Sequence, residues 1–387
     1  MPGLARRTRT EAEGTPLPGG HRREAATGAH PPAGPLYSGS GREPYFDNAK
    51  YLALVLVACA HGWEPYLAEH RTVLALYDLV YTFHMPVFVV VSGYFSRNIA
   101  LRPRELHRLV AGLLLPYLFF EVLYAHFRRW AAHDPSYPVN VIDPQFLDWF
   151  LLALFLWRLS APVWRIVRRP LPVAVGIAVL ASVTPGIGPD LDLQRVLQFL
   201  PFFVLGTLLR PAHFDRLRGR RVRAAAVAVA AAASAAAYWA APRLDHAWLY
   251  HRDSAQALGA STATGVAAAL ALLGCSAVLT GCFLAWVPRR RTWYTGLGVA
   301  TLYGYLLHGF LVKGAAARGW YEPAWLGTPA GMVLVTAAAA LAVTALCTPP
   351  VRRLVRPLVE PRAAWLLRDP ASPEEGPLSA QPRTVGP

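Results

Sequence analysis

Ten stretches of this chain are apolar over about the length of a bilayer-crossing helix, and the connections between them alternate between arginine-rich and arginine-poor. A spanning helix needs about 20 largely apolar residues. Inside lipid the backbone must satisfy its own hydrogen bonds, so such runs are expected as helices. They lie at 45–63, 73–95, 106–127, 146–164, 171–183, 193–209, 222–241, 262–287, 293–313 and 328–348. The fifth is short and stops before Pro185. Seven basic residues precede or open the first run, and the later arginine-rich stretches are 97–108 with four, 158–169 with four, 210–223 with six, 289–291 with three and the region from Arg352 with six. The intervening connections offer only Arg71, then Arg128 and Arg129, none before Arg195, then Arg243 and Arg252, then Lys313 and Arg318. Basic residues stay on the cytoplasmic side. The pattern therefore predicts an all-α polytopic membrane helix bundle of about ten transmembrane helices with both termini cytoplasmic.

Composition agrees with this reading. The chain is 54% hydrophobic and 16% charged, against about 25% charged in soluble domains. Its formal charge of +15 would suggest nucleic acid in a soluble protein. Here the basic residues sit between apolar runs and form no continuous stripe, which argues against nucleic acid and for orientation in a lipid bilayer. Cys59, Cys275, Cys282 and Cys347 fall in or at the ends of apolar runs with no metal-ligand spacing, so they read as small buried hydrophobes, and no metal site is expected. Residues 1–43 and 357–387 lack apolar segments and are expected as disordered cytoplasmic tails around one membrane domain, 44–356. The alanine- and arginine-rich composition suggests a GC-rich bacterial genome, hence a bacterial plasma membrane.

Ionisable residues inside spans are costly and therefore informative. The first run opens with Asp47 and Lys50 and closes with His61 and Glu64. Eleven residues separate Lys50 from His61, ~16 Å along a helix. Lys50 and Lys313 are the only lysines among 38 basic residues, which argues that Lys50 is more than a generic interfacial anchor. The second run places His84 two residues before Pro86, a proline that frees a helix carbonyl near mid-membrane. The ninth carries Tyr305 and His308. Facing one cavity, the three histidines would form a polar site, with Arg97, Arg104 and Arg108 in the loop beneath it. Histidine suits acyl transfer because its ordinary pKa, near ~6.5, lets it take a hydroxyl proton close to neutrality. Arginines bind phosphate as bidentate forks. No Gly-x-Ser-x-Gly elbow, His-Glu-x-x-His or P-loop is present. Two other readings share these features: a transporter or flippase whose histidines line a permeation path, and a membrane scaffold whose histidines only pack.

The segment Asp47…Lys50-x10-His61 resembles the acyltransferase-3 family of integral membrane acyltransferases, whose hallmark is an Arg-x10-His pair in the first helix after an acidic residue. Phe83-His84-Met85-Pro86…Ser92-Gly93-Tyr94-Phe95 is similar to the fucose 4-O-acetylase-like branch. Asp148-Trp149-Phe150-Leu151…Leu156-Trp157-Arg158-Leu159, Phe199-Leu200-Pro201-Phe202-Phe203-Val204-Leu205-Gly206 and Leu302-Tyr303-Gly304-Tyr305-Leu306-Leu307-His308 follow in the family's order. The resemblance implies an acyl donor, usually acetyl-CoA, and as acceptor a hydroxyl of a sugar, glycan, lipid-linked intermediate or small metabolite. His61 matches the family's catalytic histidine, and Lys50 stands where the family has arginine. The family's Arg-x-x-Arg has as its nearest counterpart Arg104-x3-Arg108. On this basis His61, His84 and Asp47 are expected to be catalytic, Lys50, Arg97, Arg104 and Arg108 to hold CoA, and Glu64, Tyr305 and His308 to contact the acceptor.

Overall fold

The computed structural model describes residues 43–361 together with 366 and 367. Every regular element among them is helical. The helices are α1 (Pro44–Trp63), α2 (Arg71–Ser96), α3 (Pro103–Ala131, with a π-helical turn at Val110–Leu114), α4 (Trp149–Ile166), α5 (Pro170–Ser182), α6 (Leu193–Leu208), α7 (Pro211–Arg216), α8 (Arg220–Ala240), α9 (Thr262–Trp286), α10 (Thr301–Ala317), α11 (Pro329–Leu346) and α12 (Pro349–Val359). Each of the ten apolar runs holds one of them. Seven segments are long and apolar enough to cross a membrane: α2, α3, α4, α6 with its leading turn, α8, α9 and α11. The other three runs hold α1, α5 and α10. Polar groups interrupt the apolar surface of α1, α5 has 13 residues and α10 has 17.

Two boundaries differ from expectation. The run 293–313 was expected to be helical throughout, yet α10 starts at Thr301 after a tight turn over Leu297–Ala300. A side chain on Gly298 would strike the backbone of Asp47, so this stretch is folded against the start of α1 and does not extend the helix. At the other end, α12 continues to Val359, past the domain end expected at residue 356. Nearly all of both expected tails lies outside the described residues.

α2 is the central helix, packed against α1, α6, α8 and α9. Within its most apolar stretch 61% of the residues are buried, against 6% for α8, 22% for α9 and 17% for α11. Those three helices present their apolar surface outward, as lipid-facing helices do. Lipid tails are as apolar as the side chains, so helix association rests on close packing and interhelical hydrogen bonds of about 0.6 kcal/mol each. The closest packing lies between α2 and α6, where Gly93 and Gly206 bring the two backbones together. Hydrogen bonds tie α1 to its neighbours along its length: Tyr45 Oη donates to the Leu284 carbonyl (2.8 Å), Tyr51 Oη pairs with Thr344 Oγ1 (2.8 Å) and Trp63 Nε1 donates to Thr336 Oγ1 (2.9 Å). Trp157 Nε1 joins α4 to the Val196 carbonyl of α6 (2.9 Å), and Tyr124 Oη joins α3 to the Leu306 carbonyl of α10 (2.9 Å).

Candidate active site

His61 occupies the last turn of α1, and the chain then tightens through Glu64–Tyr66. This turn brings Glu64 back onto the imidazole. His61 Nδ1 lies 2.6 Å from Glu64 Oε1. The carboxylate selects the tautomer with its proton on Nδ1 and leaves the lone pair on Nε2. Lys313 Nζ lies 3.7 Å from Glu64 Oε2 and 4.2 Å from the Phe146 ring centre, and Tyr81 Oη reaches Oε1 at 3.4 Å. Burial works against the Glu64 charge, but the His61 imidazole, its hydrogen bond and the Lys313 ammonium hold this carboxyl below the usual range.

His61 and Glu64 line a cavity of about 240 Å³ shared with Tyr81, His84, Tyr305 and several other aromatic residues. His84 is buried in α2, and its Nδ1 donates to the Val80 carbonyl (2.8 Å). Tyr305 Oη gives its proton to the Leu147 carbonyl (2.7 Å), so this side chain shapes the wall while its hydroxyl proton is occupied. His308 is buried behind His61 with ring centres 5.6 Å apart. Its Nδ1 faces the Gly304 and Tyr305 carbonyls (3.0 and 2.7 Å), and its buried Nε2 has no hydrogen-bond partner among the described residues. The three intramembrane histidines thus converge on one polar centre.

Asp47 is not brought there. It is buried at the opposite end of α1, where its Oδ1 is 2.8 Å from Lys50 Nζ. Fourteen residues of helix separate it from His61, ~21 Å. Arg97 lies at the same end as Asp47, in a second cavity of about 390 Å³ lined also by Asn98, Arg210 and their neighbours. The Arg97 guanidinium covers the Tyr94 ring at 4.2 Å, and its buried Nη1 has no hydrogen-bond partner among the described residues. Arg104 and Arg108 are exposed on the first turns of α3.

Sequence reading missed three cations at the histidine cavity. Arg195 and Arg252 line it, and Lys313 holds Glu64. Arg195 Nη1 is 2.5 Å from Asp192 Oδ2, Nε donates to the Tyr250 carbonyl (3.1 Å), and the guanidinium sits 4.9 Å from the Trp149 ring centre. Only one signal could have found them: they are among the few basic residues left in connections that are otherwise depleted of them.

The loop that carries Arg252 also carries His251, buried against Phe199 with Nδ1 3.1 Å from Gln198 Oε1. Burial, and then the Arg195 charge, push its pKa down from 6.5 to about 4. The unfolded chain therefore binds a proton that the folded chain refuses, and stability falls as pH drops from 6.5 towards 4. His251→Asn keeps a donor for Gln198 but does not titrate. Its melting temperature is expected to fall less steeply over that interval than that of the wild type, as read by a thermal-shift titration. Parallel slopes would contradict the assignment.

The sequence profile described as "Acyltransferase domain", of the acyltransferase 3 family, matches residues 43–347. Among curated proteins the chain is similar to "Nodulation protein NolL" of Sinorhizobium fredii, 26% identical over 184 residues, which is 44% of this chain and 49% of that one. It is also similar to "Nodulation protein NolL" of Mesorhizobium japonicum, 25% identical over 187 residues, 44% of this chain and 48% of that one. The chain spans about half the length of these curated relatives. No solved structure matches it.

Proposed function

Because the chain belongs to the acyltransferase 3 family, we propose that it is a multi-pass O-acyltransferase of the bacterial plasma membrane. In this reading it moves an acyl group, by family habit acetyl, from acyl-CoA to a hydroxyl of a sugar, glycan or small metabolite. The observation that carries the proposal is the Glu64–His61 pair on the wall of a polar cavity. Nε2 of His61 takes the proton of the acceptor hydroxyl while that oxygen attacks the thioester carbonyl. The carbon–sulfur bond breaks, and the imidazolium returns its proton to the departing sulfur. Glu64 holds the ring in the competent tautomer and stabilises the imidazolium, and Lys313 holds Glu64. His84 and His308 position the reacting groups.

The donor enters from the arginine-rich end, which the charge alternation assigns to the cytoplasm together with both termini. Arg97, with its buried unpartnered nitrogen, offers a hydrogen bond to a CoA phosphate, and the exposed Arg104 and Arg108 add attraction. Lys50 stays beside Asp47, which orients it. Asp47 thereby acts at the donor end of the bundle, away from the histidines.

Two measurements test this reading. Membranes carrying the protein should release CoA from acetyl-CoA when a hydroxyl acceptor is supplied, and a membrane lacking His61 should not. Uptake of a solute into vesicles with no CoA release would favour a transporter instead. Glu64→Gln should lower the turnover number by a factor approaching ~10⁴, the loss that follows when the carboxylate behind a catalytic histidine becomes an amide. Wild-type turnover in Glu64→Gln would remove Glu64 from the mechanism.

A further inference from the structure

The eight basic residues of the arginine-poor connections are Arg71, Arg128, Arg129, Arg195, Arg243, Arg252, Lys313 and Arg318. Five of them are engaged locally. Arg71 donates twice to the Tyr238 carbonyl (2.9 and 2.7 Å), Arg128 donates to Tyr137 and Gln145, and Arg129 donates to the Tyr137 carbonyl. Arg243 binds the Trp239 carbonyl and covers its ring, and Arg318 covers Trp130. Of the remaining three, Arg195 and Arg252 line the histidine cavity and Lys313 pairs with its Glu64.

Two of the three have carboxylate partners, Lys313 with Glu64 and Arg195 with Asp192. Arg252 lines the cavity, is exposed, and forms no ion pair among the described residues. Asp253, beside it in the chain, does not line the cavity. Among the residues that line the cavity, the two cations Arg195 and Arg252 stand against one carboxylate, Glu64, in a wall that also holds Tyr81, Trp149, Tyr250 and further aromatic and aliphatic residues; outside the lining, Asp192 feels both guanidinium charges. Cations are depleted on this side of a membrane protein, and a surplus charge beside a low-dielectric wall attracts an anion strongly. Nothing in the transfer chemistry of a neutral hydroxyl requires it.

We infer that the acceptor is anionic: a hydroxyl compound bearing a carboxylate or a phosphate, which Arg252, flanked by Arg195, binds while His61 meets the hydroxyl. This rests on the reading of the cavity as the acceptor site. The guanidinium fork suits either anion, and the aromatic faces among the lining residues suit a ring-shaped body such as an acidic saccharide.

The test is equilibrium binding to the purified full chain in nanodiscs. The probes are a neutral glucose oligosaccharide, a glucuronate oligosaccharide of equal length and a phosphorylated glucose oligosaccharide. The anionic probes should bind at least about tenfold more tightly than the neutral one, a difference of 1.4 kcal/mol, and added salt should shrink the difference. Whichever of the glucuronate and phosphate probes binds better identifies the anion. Arg252→Gln should abolish the preference, Arg252→Lys should keep part of it, and His61→Ala should keep it whole. Equal binding of neutral and anionic probes, binding of none of them, or an undiminished preference in Arg252→Gln would overturn the inference. Acyl transfer to neutral acceptors without anion preference would refute the inference and leave the acyltransferase reading intact. Anion preference without transfer to any acceptor would overturn the acyltransferase reading, and with it the assignment of the bound anion as an acceptor.

Discussion

Gly206→Val should leave almost no folded protein in the membrane fraction. A Cβ on Gly206 would strike the Val90 carbonyl and sit 2.9 Å from both the Gly93 Cα and the Tyr94 amide nitrogen. On the facing helix a Cβ on Gly93 would strike the Phe203 carbonyl. Both obstacles are backbone, so no side chain can swing aside, and α2 and α6 must separate. Overpacking a well-filled core costs about 1–3 kcal/mol for small insertions and more where nothing yields. The whole folded state is stable by only about 5–15 kcal/mol. Because α2 is the central helix, the loss spreads to α1, α8 and α9. Gly281→Val is the matched control, since a Cβ there meets nothing within 4 Å. The readout is the monodisperse fraction after detergent extraction: near zero for Gly206→Val and near wild type for Gly281→Val. Normal yield and melting of Gly206→Val would show that the two helices do not cross at this pair.

His61→Ala should lower acyl transfer by ~10²–10⁴-fold, the usual worth of a positioned general base, while yield and melting temperature stay near wild type. The imidazole contributes one hydrogen bond at the end of α1, and Tyr45, Tyr51 and Trp63 still tie that helix to its neighbours. The vacated space joins a cavity of about 240 Å³, so added imidazole should restore part of the rate. His84 is a poor substitute from its place on α2, because its Nδ1 faces a neutral backbone carbonyl and not a carboxylate that would stabilise an imidazolium as Glu64 does for His61. A variant that folds and transfers at the wild-type rate would exclude His61 as the base.

The helices were legible because lipid leaves the backbone few alternatives, and each apolar run holds one. The exception at 293–300 arose from packing: the glycine that abuts Asp47 belongs to a contact between residues about 250 apart in the chain, which no local pattern encodes. The histidines were legible for a related reason, since an ionisable side chain in an apolar run is conspicuous wherever it faces. Glu64 stood three residues from His61 in plain view, but its role depends on the tight turn after α1. Arg195, Arg252 and Lys313 were harder still. Each comes from a different segment, and in the sequence they count only as the sparse charge of the arginine-poor side. Asp47 and Lys50 were legible as a pair, yet spacing along one helix already placed them far from His61.

The most direct test of the whole account is the fate of a labelled acetyl group. Purified protein in nanodiscs would receive acetyl-CoA labelled in its acetyl carbon together with the glycan acceptors above, and mass spectrometry would follow the label. The account predicts a labelled, alkali-sensitive ester on an acceptor oxygen, formed by the wild type and not by His61→Ala. Label that remains on CoA with every acceptor, or an ester that forms equally well without His61, would contradict it.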